Sequence, residues 1–507
     1  MTRLLFGQSY FLRFDPKLWD AMQPYPPLGT LYAAGFMREA GYSVALFDAM
    51  LAESETEWAA ALDRERPDLA VIYEDNFNYL SKMCLLRMRD AAFTMAGMAA
   101  DRGIPVIIAG SDASDHPENY LDHGADYALI GEGELTLREL SDALTGRSDR
   151  PLESIAGLAW RETDPDGKRR IRRNPRRPDI RDLDHLPFPA WDLVDVERYR
   201  RIWLERHGYF SMNMVTTRGC PFHCNWCAKP IWGQRYNSRG PENVAQEMKF
   251  LKETYAPDHI WFVDDIMGLK PGWLEGFSAA VARLDAGIPF KCLSRVDLLL
   301  RPGETEALAR AGAEIVWVGA ESGSQAVLTA MEKGTQVEQI YAAAAALREA
   351  GIRVGFFLQF GYPGETRADV EATLGMVRQI LPDDIGMSVS YPLPGTTFFE
   401  RVRDDLGERR NWIDSNDLAM LYRGSFTTGF YRQLHTVLHK EYRMRKSWQA
   451  LRRGRFDPRR TAGMVYQAAT LPFERRKLDR MAGIPHEPAR MTGESMPLEE
   501  ASRPSPQ

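Results

Sequence analysis

The chain has 507 residues, and 64 Lys and Arg against 70 Asp and Glu give a formal net charge of −6. With 44% hydrophobic and 26% charged residues, the composition excludes a disordered chain and a generally basic protein, so we expect no nucleic-acid partner. Five cysteines exclude a disulfide-built scaffold. Without a run of about 18 apolar residues or a signal-peptide core, the sequence predicts a cytoplasmic protein.

Strand and helix patterns alternate through residues 1–145, which we predict to be one domain. The predicted strands are residues 3–7, 43–48, 69–73, 105–109 and 127–130. The predicted helices are residues 28–40, 55–66, 81–101 and 132–145, with a short helix after Pro117. Because the strands are continuously apolar, the pattern predicts a parallel sheet with helices on both faces, and such sheets bind ligands at the carboxyl ends of their strands.

Residues 146–208 break the alternation, and we predict a linker there. Residues 161–181 hold nine basic against four acidic residues, together with several Pro and Gly. A solvated hairpin or an interdomain linker is the simplest interpretation of such a charge run. Binding of an anionic ligand is the alternative.

A second strand–helix series occupies residues 209–400. Its predicted strands are residues 212–216, 259–263, 291–293, 315–318, 353–358 and 385–389, with helices such as 241–254 and 337–350 between them. Six such units predict a barrel or partial barrel, whose chemistry lies at the C-terminal ends of the strands.

We predict a basic helical region at residues 401–485 and a disordered tail at 486–507. Residues 432–460 hold ten basic against two acidic residues. A solvated helical face is the simplest interpretation. Because Tyr442, Trp448 and Phe456 interleave with the basic residues, peripheral contact with an anionic membrane or an acidic partner is the alternative.

Cys220, Cys224 and Cys227 lie on one short segment directly after a predicted strand. The spacing C-x3-C-x2-C lets each thiolate bind one iron of a four-iron cluster and leaves the fourth iron open. A closed zinc site needs a fourth ligand, and His223 is confined between two of the cysteines. Soft thiolate ligands favour a [4Fe-4S] cluster, with zinc as the alternative.

The other two thiols, Cys84 and Cys292, lie in a predicted apolar helix and a predicted strand, as buried structural cysteines do. Two isolated thiols cannot hold a second cluster. Their number argues against a sulfur-inserting enzyme.

The cysteine triplet after the first barrel strand resembles the signature of radical S-adenosylmethionine (SAM) enzymes. Segments after the later strands are also similar to that superfamily: WFVDD at 261–265, LSRVD at 293–297, GAESGS at 319–324, MEKGT at 331–335, GYPGET at 361–366 and YPLPGT at 391–396. In the N-terminal domain, PPLGTLY at 26–32, AGSD at 109–112 and GEGE at 131–134 narrow the resemblance to cobalamin-binding radical SAM enzymes. That group includes class B radical methyltransferases and the anaerobic magnesium-protoporphyrin monomethyl ester cyclase.

The resemblance implies an α/β fold with an N-terminal Rossmann-like cobalamin-binding domain, a partial (β/α)6 TIM-type radical SAM barrel and a C-terminal helical region. It implies three cofactors: a [4Fe-4S] cluster, SAM and cobalamin. The metal ligands would be Cys220, Cys224 and Cys227. The SAM-binding candidates are Phe222, Trp226, Asp264, Asp265, Arg295, Glu321, Ser322 and Gly361. The cobalamin-binding candidates are Leu28, Gly29, Glu74, Asn76, Gly110, Ser111, Gly131, Glu132 and Gly133.

Arg295 is expected to pair with the methionine carboxylate, because a guanidinium suits a planar anion. Strand ends, helix caps and structural ion pairs are the alternatives for the polar candidates. The D-x-H-x-x-G motif, whose His ligates cobalt in cobalamin mutases, is absent, since Asp122 and His123 have the wrong spacing. Cobalamin would then meet the loop at residues 74–80 and the Ser111–Asp112 turn.

The implied chemistry is cleavage of SAM to a 5′-deoxyadenosyl radical, with an external one-electron reductant of the flavodoxin or ferredoxin type. Methylation of an unactivated carbon of a small-molecule substrate is the first interpretation. Oxidative cyclisation is the second, and residues 421–435 faintly resemble the porphyrin cyclase group. A non-catalytic corrinoid or iron–sulfur carrier is the third.

Overall fold

The computed structural model describes residues 2–163, 167–227, 229, 231–406 and 409–483. Its architecture is α/β, as predicted, with two large sheets, a short two-stranded sheet and a helical C-terminal region. The predicted disordered tail, residues 486–507, lies outside the described residues. Within the described ranges, no helix has the length and apolar character needed to cross a bilayer.

The first sheet has seven strands in the order β2-β1-β3-β4-β5-β6-β7, and β1 to β5 run parallel. The strands are β1 (Arg3–Gly7), β2 (Ser43–Leu46), β3 (Leu69–Tyr73), β4 (Val106–Ala109), β5 (Tyr127–Leu129), β6 (Leu158–Thr163) and β7 (Arg169–Arg173). The helices of this part are Pro16–Ala21, Leu28–Glu39, Thr56–Glu65, Tyr79–Met83, Leu86–Ala100, Ser111–Asp115, Pro117–Leu121 and Glu134–Leu144. Ile72 and Val71 of β3 join separate apolar clusters on the two faces of the sheet, which confirms that both faces are covered.

The basic run contributes to the antiparallel hairpin β6–β7, so of the two simplest interpretations the structure shows the hairpin, and this hairpin belongs to the first sheet. β6 pairs antiparallel with β5 and with β7. Leu158 and Ala159 of β6 are fully buried, whereas the side chains of β7 are exposed. Apolar residues therefore attach the hairpin to the core, and arginines protect the outer edge from pairing with another chain.

The single helix predicted for residues 81–101 is interrupted at Cys84. Cys84 adopts a left-handed backbone with φ +46°, and a new helix begins at Leu86. Two hydrogen bonds with the C-terminal region stabilise this interruption. Leu86 N donates to Trp412 O at 2.7 Å, and Asn411 Nδ2 donates to Cys84 O at 2.7 Å. Periodicity within residues 81–101 carries no sign of these distant partners.

The second sheet is the predicted partial barrel. Its parallel strands follow the order β8-β11-β12-β13-β14-β15, and within the described residues β8 and β15 do not pair. The strands of this part are β8 (Ser211–Met214), β9 (Thr217–Arg218), β10 (Asn237–Ser238), β11 (His259–Phe262), β12 (Phe290–Ser294), β13 (Ala313–Glu321), β14 (Arg353–Phe360) and β15 (Asp384–Val389). The short pair β9–β10 flanks the cysteine segment.

Helices cover the outside of the barrel and continue beyond it. Those of the barrel part are Val196–His207, Pro241–Tyr255, Trp273–Arg283, Val296–Leu299, Glu304–Ala311, Gln325–Ala330, Val337–Glu349, Arg367–Ile380 and Thr397–Val402. Two long helices follow, Thr428–Arg452 and Pro458–Ala482, and they pack against each other. Phe430 and Leu434 of the first are fully buried in the same apolar cluster as the barrel strands.

Candidate active site

The three clustered thiols lie on the loop between β9 and β10. Cys224 is buried, and Cys220 and Cys227 are half-buried. Burial raises the pKa of Cys220, and burial raises the pKa of Cys227 to about 12, with the neighbouring thiols adding to the rise. Thiols in such surroundings lose their protons when a metal binds, so the donor chemistry fits a metal site.

The arrangement of the donors distinguishes a cluster from a single metal ion. Among the described residues, no three His, Cys, Asp or Glu side chains converge on one point as ligands of one ion do. A cubic cluster places each thiolate on a different iron and needs no such convergence. Three soft thiolates on one loop match the donor set of a four-iron cluster with one open iron.

Asp264 holds the backbone that leads into the cysteine loop. Its Oδ1 accepts from Thr216 N at 2.7 Å, Thr217 N at 2.6 Å and Thr217 Oγ1 at 2.8 Å. The side chain is 1% exposed, and burial raises its pKa to about 6 against the lowering effect of these hydrogen bonds. The carboxylate thus fixes the strand-to-loop turn, whereas its neighbour Asp265 is exposed and accepts from Lys82 Nζ of the N-terminal part at 2.5 Å.

Arg295, at the end of β12, lies beside the loop. Its guanidinium carbon is 3.6 Å from the centre of the Phe222 ring, and Nη1 is 3.9 Å from Cys224 Sγ. Nε and Nη2 donate to the two carboxylate oxygens of Asp297, and Nη2 also donates to Lys333 O. The buried guanidinium supplies positive charge beside a thiol that must become a thiolate.

A second buried cation was missed as a site residue by the sequence reasoning. Lys333 Nζ lies 2.8 Å from Glu321 Oε1 and 5.9 Å from the centre of the Trp226 ring. Glu321 follows a β-bulge in β13 and has a left-handed backbone, φ +56°. The MEKGT segment contained the signal, but the partner of Lys333 lies twelve residues earlier, on another element.

Ser322 and Gly361 lie after neighbouring strands, and both are tied to the protein itself. Ser322 is fully buried, and its Oγ is 3.0 Å from Thr373 Oγ1. Gly361 has φ +77°, and a Cβ there would lie 2.9 Å from Met420 Sδ. This turn therefore requires glycine, because a side chain would meet both backbone strain and the C-terminal region.

The cobalamin candidates gather at the carboxyl ends of the first sheet. A Cβ on Gly29 would lie 3.1 Å from Asn76 N, one on Gly110 would lie 2.9 Å from Glu74 Cβ, and one on Gly133 would lie 2.9 Å from the Tyr73 ring. Glycines therefore permit the close approach of β3, β4 and β5 loops at this edge. Leu28, by contrast, is fully buried in the core at the start of its helix.

Buried polar atoms without partners mark the same edge. Within the described residues, these atoms include Ser9 Oγ, Tyr10 OH, Asn76 Oδ1, Ser81 Oγ and Glu134 Oε2, all on segments that follow β1, β3 or β5. Native interiors leave few such atoms unsatisfied, so a concentration of them indicates a place for a polar ligand. The edge therefore fits the amide-rich periphery of a corrinoid.

Two further candidates at this edge have protein partners. Both oxygens of Glu74 accept from Ser9 N at 3.2 Å, and burial raises the pKa of Glu74 to about 7. Ser111 Oγ donates to Lys82 O at 3.0 Å. Gly131 has φ +82°, a turn that glycine adopts without strain.

Glu132 joins this edge to the cysteine loop. Its Oε1 accepts from Arg218 Nη1 at 2.5 Å and from Trp232 Nε1 at 3.1 Å, and its Oε2 accepts from Ile180 N at 2.5 Å. Arg218 also donates to Glu134 Oε1 at 2.8 Å. Arg218 lies two residues before Cys220, so the two predicted cofactor sites meet across one buried ion-pair cluster.

His123 lies away from this edge. It precedes β5, on the side of the sheet that carries the N-terminal ends of the strands, and stacks on Phe93 with ring centres 4.0 Å apart. Its Nδ1 is 2.6 Å from Asn119 O. His123 is therefore not placed to approach a corrinoid at the carboxyl edge.

Two protein-family models match the chain, each over one of the two sheets. The radical SAM superfamily model matches residues 214–377, and the B12 binding domain model matches residues 20–141. The first range begins in β8 and contains the cysteine loop. The second contains most of the strand ends where the unsatisfied polar atoms gather.

Two curated relatives and a solved structure are similar to most of the chain. An uncharacterized methyltransferase of Pyrococcus horikoshii, PH0819, is 30% identical over 426 residues, which cover 82% of this chain and 87% of that protein. The anaerobic magnesium-protoporphyrin IX monomethyl ester cyclase of Rubrivivax gelatinosus is 24% identical, over 75% of this chain and 67% of the cyclase. The fold is also similar to TsrM, a radical SAM methyltransferase of Kitasatospora setae solved with cobalamin and a [4Fe-4S] cluster, at a TM-score of 0.63 and 20% identity over 80% of this chain and 75% of that one.

Proposed function

Because this chain belongs to the cobalamin-binding radical SAM enzymes, with a [4Fe-4S] cluster, SAM and cobalamin as cofactors, we propose that it methylates an unactivated carbon of a small-molecule substrate. The observation that carries the proposal is the buried contact of Arg218 with Glu132 and Glu134, which brings the cysteine loop against the carboxyl edge of the first sheet. Cobalamin and SAM would supply the methyl group and the radical only if the residues that hold them border one space. The methyltransferase relative matched over 87% of its length supports the choice.

The cofactors supply the radical and the methyl group, and the protein holds and shields them. Cys220, Cys224 and Cys227 would bind the cluster. Asp264 fixes the loop that carries them, through Thr216 and Thr217. Phe222 and Trp226 lie inside the loop, where their rings limit access of water.

Two buried cations compensate charge next to Cys224. Arg295 approaches its Sγ, and the paired Lys333 lies within electrostatic range of the same thiol. We propose that Arg295 mainly stabilises the cysteine loop. The methionine carboxylate would bind to the remaining guanidinium N–H donors of Arg295 and to the backbone at Asp264 and Asp265.

The SAM-binding candidates at the later strands would act by shaping the turns. Glu321 ends β13, and Ser322 and Gly361 follow β13 and β14, next to a β-bulge and a glycine turn. Ser322 and the carboxylate of Glu321 already have protein partners, as does the backbone N–H of Gly361. These residues would therefore fix the turns against which the ribose or the methionine binds.

At the first sheet, Gly29, Gly110, Gly131 and Gly133 would let the backbone approach the corrinoid. Asn76, with an unsatisfied Oδ1, would accept a hydrogen bond from its amide periphery. We propose that residues 74–80 and Ser111 would hold cobalamin, with His123 taking no part in its binding. Leu28 would act through the position of its helix, because its side chain is in the core.

The second candidate is oxidative cyclisation, supported by the similarity to the porphyrin cyclase. Anaerobic turnover with SAM that carries a deuterated methyl group separates the two candidates. Methyl transfer predicts deuterium in the product, and cyclisation predicts an oxidised product without deuterium. A protein that keeps an intact cluster but never cleaves SAM under reduction would instead be a corrinoid or iron–sulfur carrier.

A flavodoxin or ferredoxin type protein would supply the single electron, since the described chain offers one cluster loop and no second one.

We also propose a reducing compartment, consistent with five cysteines that are all free of disulfides. We further propose peripheral contact with an anionic membrane, because Trp448 and Phe456 are exposed beside the basic C-terminal residues. Sedimentation with anionic vesicles tests it.

A further inference from the structure

The two C-terminal helices enclose a groove that the proposed reaction does not use. Its volume is about 550 Å³, within the range of small-molecule sites. Its floor includes Asp383, directly before β15, so the groove lies at the end of the barrel opposite the cysteine loop. The basic run that the sequence left unexplained therefore forms a shaped cavity.

Each helix turns one face toward the groove. From the first helix, Arg443, Lys446, Ser447 and Ala450 line it, at the spacing i, i+3, i+4 and i+7. From the second helix, Arg460, Gly463, Met464 and Gln467 line it with the same spacing. This spacing places each set on one face of its helix.

The lining is strongly cationic. Five cations line the groove: Arg443, Lys446, Arg453, Arg455 and Arg460. Among the described lining residues, Asp383 alone is acidic, and it is paired with Lys446 at 3.2 Å. Arg443, Arg453 and Arg455 are exposed, and in the described part of the chain none of them has a carboxylate within ion-pair distance.

Two further features indicate space for a polar ligand. Gln467 Oε1 is buried and has no hydrogen-bond partner among the described residues. Gly463 lies inside a 25-residue helix, where glycine costs about 1 kcal/mol relative to alanine, and a Cβ there would meet no atom within 4 Å. A side chain added at Gly463 would therefore enter open space in the middle of the set Arg460, Gly463, Met464 and Gln467 that lines the groove.

We propose that this groove binds an anion with two or more phosphate groups. Several unpaired arginines need several negative charges in a small volume, and the planar guanidinium forms paired hydrogen bonds with phosphate oxygens. A soluble polyphosphate and a cluster of phospholipid headgroups present the same chemistry. The inference is independent of the proposed methyl transfer.

Isothermal titration of the full-length protein with inorganic tripolyphosphate tests the proposal. We expect saturable binding to the wild type, and binding at least about tenfold weaker to Arg443→Gln/Arg453→Gln, because charge-assisted hydrogen bonds are lost. The matched control is Arg476→Gln/Arg480→Gln, which removes the same charge from exposed positions of the second helix outside the groove. Equal weakening by both double variants would overturn the proposal, because binding would then depend on the net charge of the protein and not on the groove.

Gly463→Phe tests the shape of the groove with every charge in place. The ring would occupy the open space beside Gly463, so we expect loss of binding with unchanged helical circular dichroism, whereas Gly463→Ala should retain binding.

Cosedimentation with phosphatidylglycerol vesicles, with phosphatidylcholine vesicles as reference, separates the two sources of phosphate. If the groove binds phosphatidylglycerol vesicles but not tripolyphosphate, the ligand is a cluster of lipid headgroups. If it binds tripolyphosphate but not vesicles, the ligand is a soluble polyphosphate. Binding of neither, or binding that survives Gly463→Phe, would overturn the proposal.

Discussion

Arg218 and Glu132 form an ion pair of 2.5 Å between the cysteine loop and the first sheet, and both side chains are 3% exposed. The two residues are 86 positions apart in the sequence. The aromatic rings of Tyr32, Phe77 and Trp232 lie 5.7–5.9 Å from the guanidinium carbon. The domains are thus joined by a desolvated charge cluster next to the first cysteine.

Replacing Arg218 by Met should destabilise the protein by about 3–5 kcal/mol, because Glu132 would remain buried without its partner. Urea unfolding measures this change. The control is Arg283→Met, which breaks a surface pair with Glu242 and should cost less than about 1 kcal/mol. Similar decreases in the free energy of unfolding of the two variants would show that the buried Arg218–Glu132 pair contributes no more to stability than an exposed pair.

Asp264→Ala should weaken iron retention, because the backbone amides of Thr216 and Thr217 would lose their acceptor and the turn before Cys220 would relax. Asp264→Asn should be much milder, since the amide oxygen can still accept and the other carboxylate oxygen has no partner in the described structure. Iron and sulfide content after anaerobic reconstitution is the readout. Full iron content in Asp264→Ala would contradict a positioning role.

Alanine at Cys220, Cys224 or Cys227 should abolish both the cluster absorbance and SAM cleavage. Cys84→Ala and Cys292→Ala should leave both intact, because those thiols are buried in other parts of the fold. Iron analysis and deoxyadenosine detection provide the comparison. A cluster that survives loss of one loop cysteine would point to a ligand outside the triplet.

Glu365 should make stability depend on pH. Burial raises its pKa to about 8, against hydrogen bonds from Gly361 N and Tyr431 OH. Between about pH 4.5 and 8 the folded protein holds a proton that the unfolded chain has released, so this group lowers the free energy of unfolding as pH rises, by up to about 1.4 kcal/mol per unit.

Glu365→Gln should remove that slope, because the amide keeps an acceptor and does not titrate. Urea unfolding at several pH values measures the profile, with the exposed Glu338→Gln as control. If the wild type and Glu365→Gln lose stability in parallel, other groups cause the slope.

The strands of both sheets were largely predictable, since each is an apolar run and alternation with helices implies parallel order. The break at Cys84 was not, because the hydrogen bonds that stabilise it come from Asn411 and Trp412. A hairpin was one interpretation of the basic run, but its place at the edge of the first sheet was not predictable, because the arginines of β7 are exposed. Local patterns identify elements, and distant partners decide where elements stop.

The cysteine triplet was recognisable from its spacing, which favours a four-iron cluster over zinc and carries the resemblance to radical SAM enzymes. The roles of Arg218 and Lys333 were not, because each depends on a carboxylate brought in by another element. Glu132 was selected for its glycine-rich surroundings, and the structure turns its side chain toward the barrel. Side-chain direction at such edges follows from tertiary packing.

The ratio of two SAM-derived products tests the central claim most directly. Holoenzyme loaded with cobalamin and cluster would be incubated anaerobically with a reductant and a small-molecule extract, and S-adenosylhomocysteine and 5′-deoxyadenosine would be quantified. Radical methyl transfer predicts equal amounts, since one SAM remethylates cobalamin for each SAM that forms the radical. Deoxyadenosine without S-adenosylhomocysteine would contradict methyl transfer.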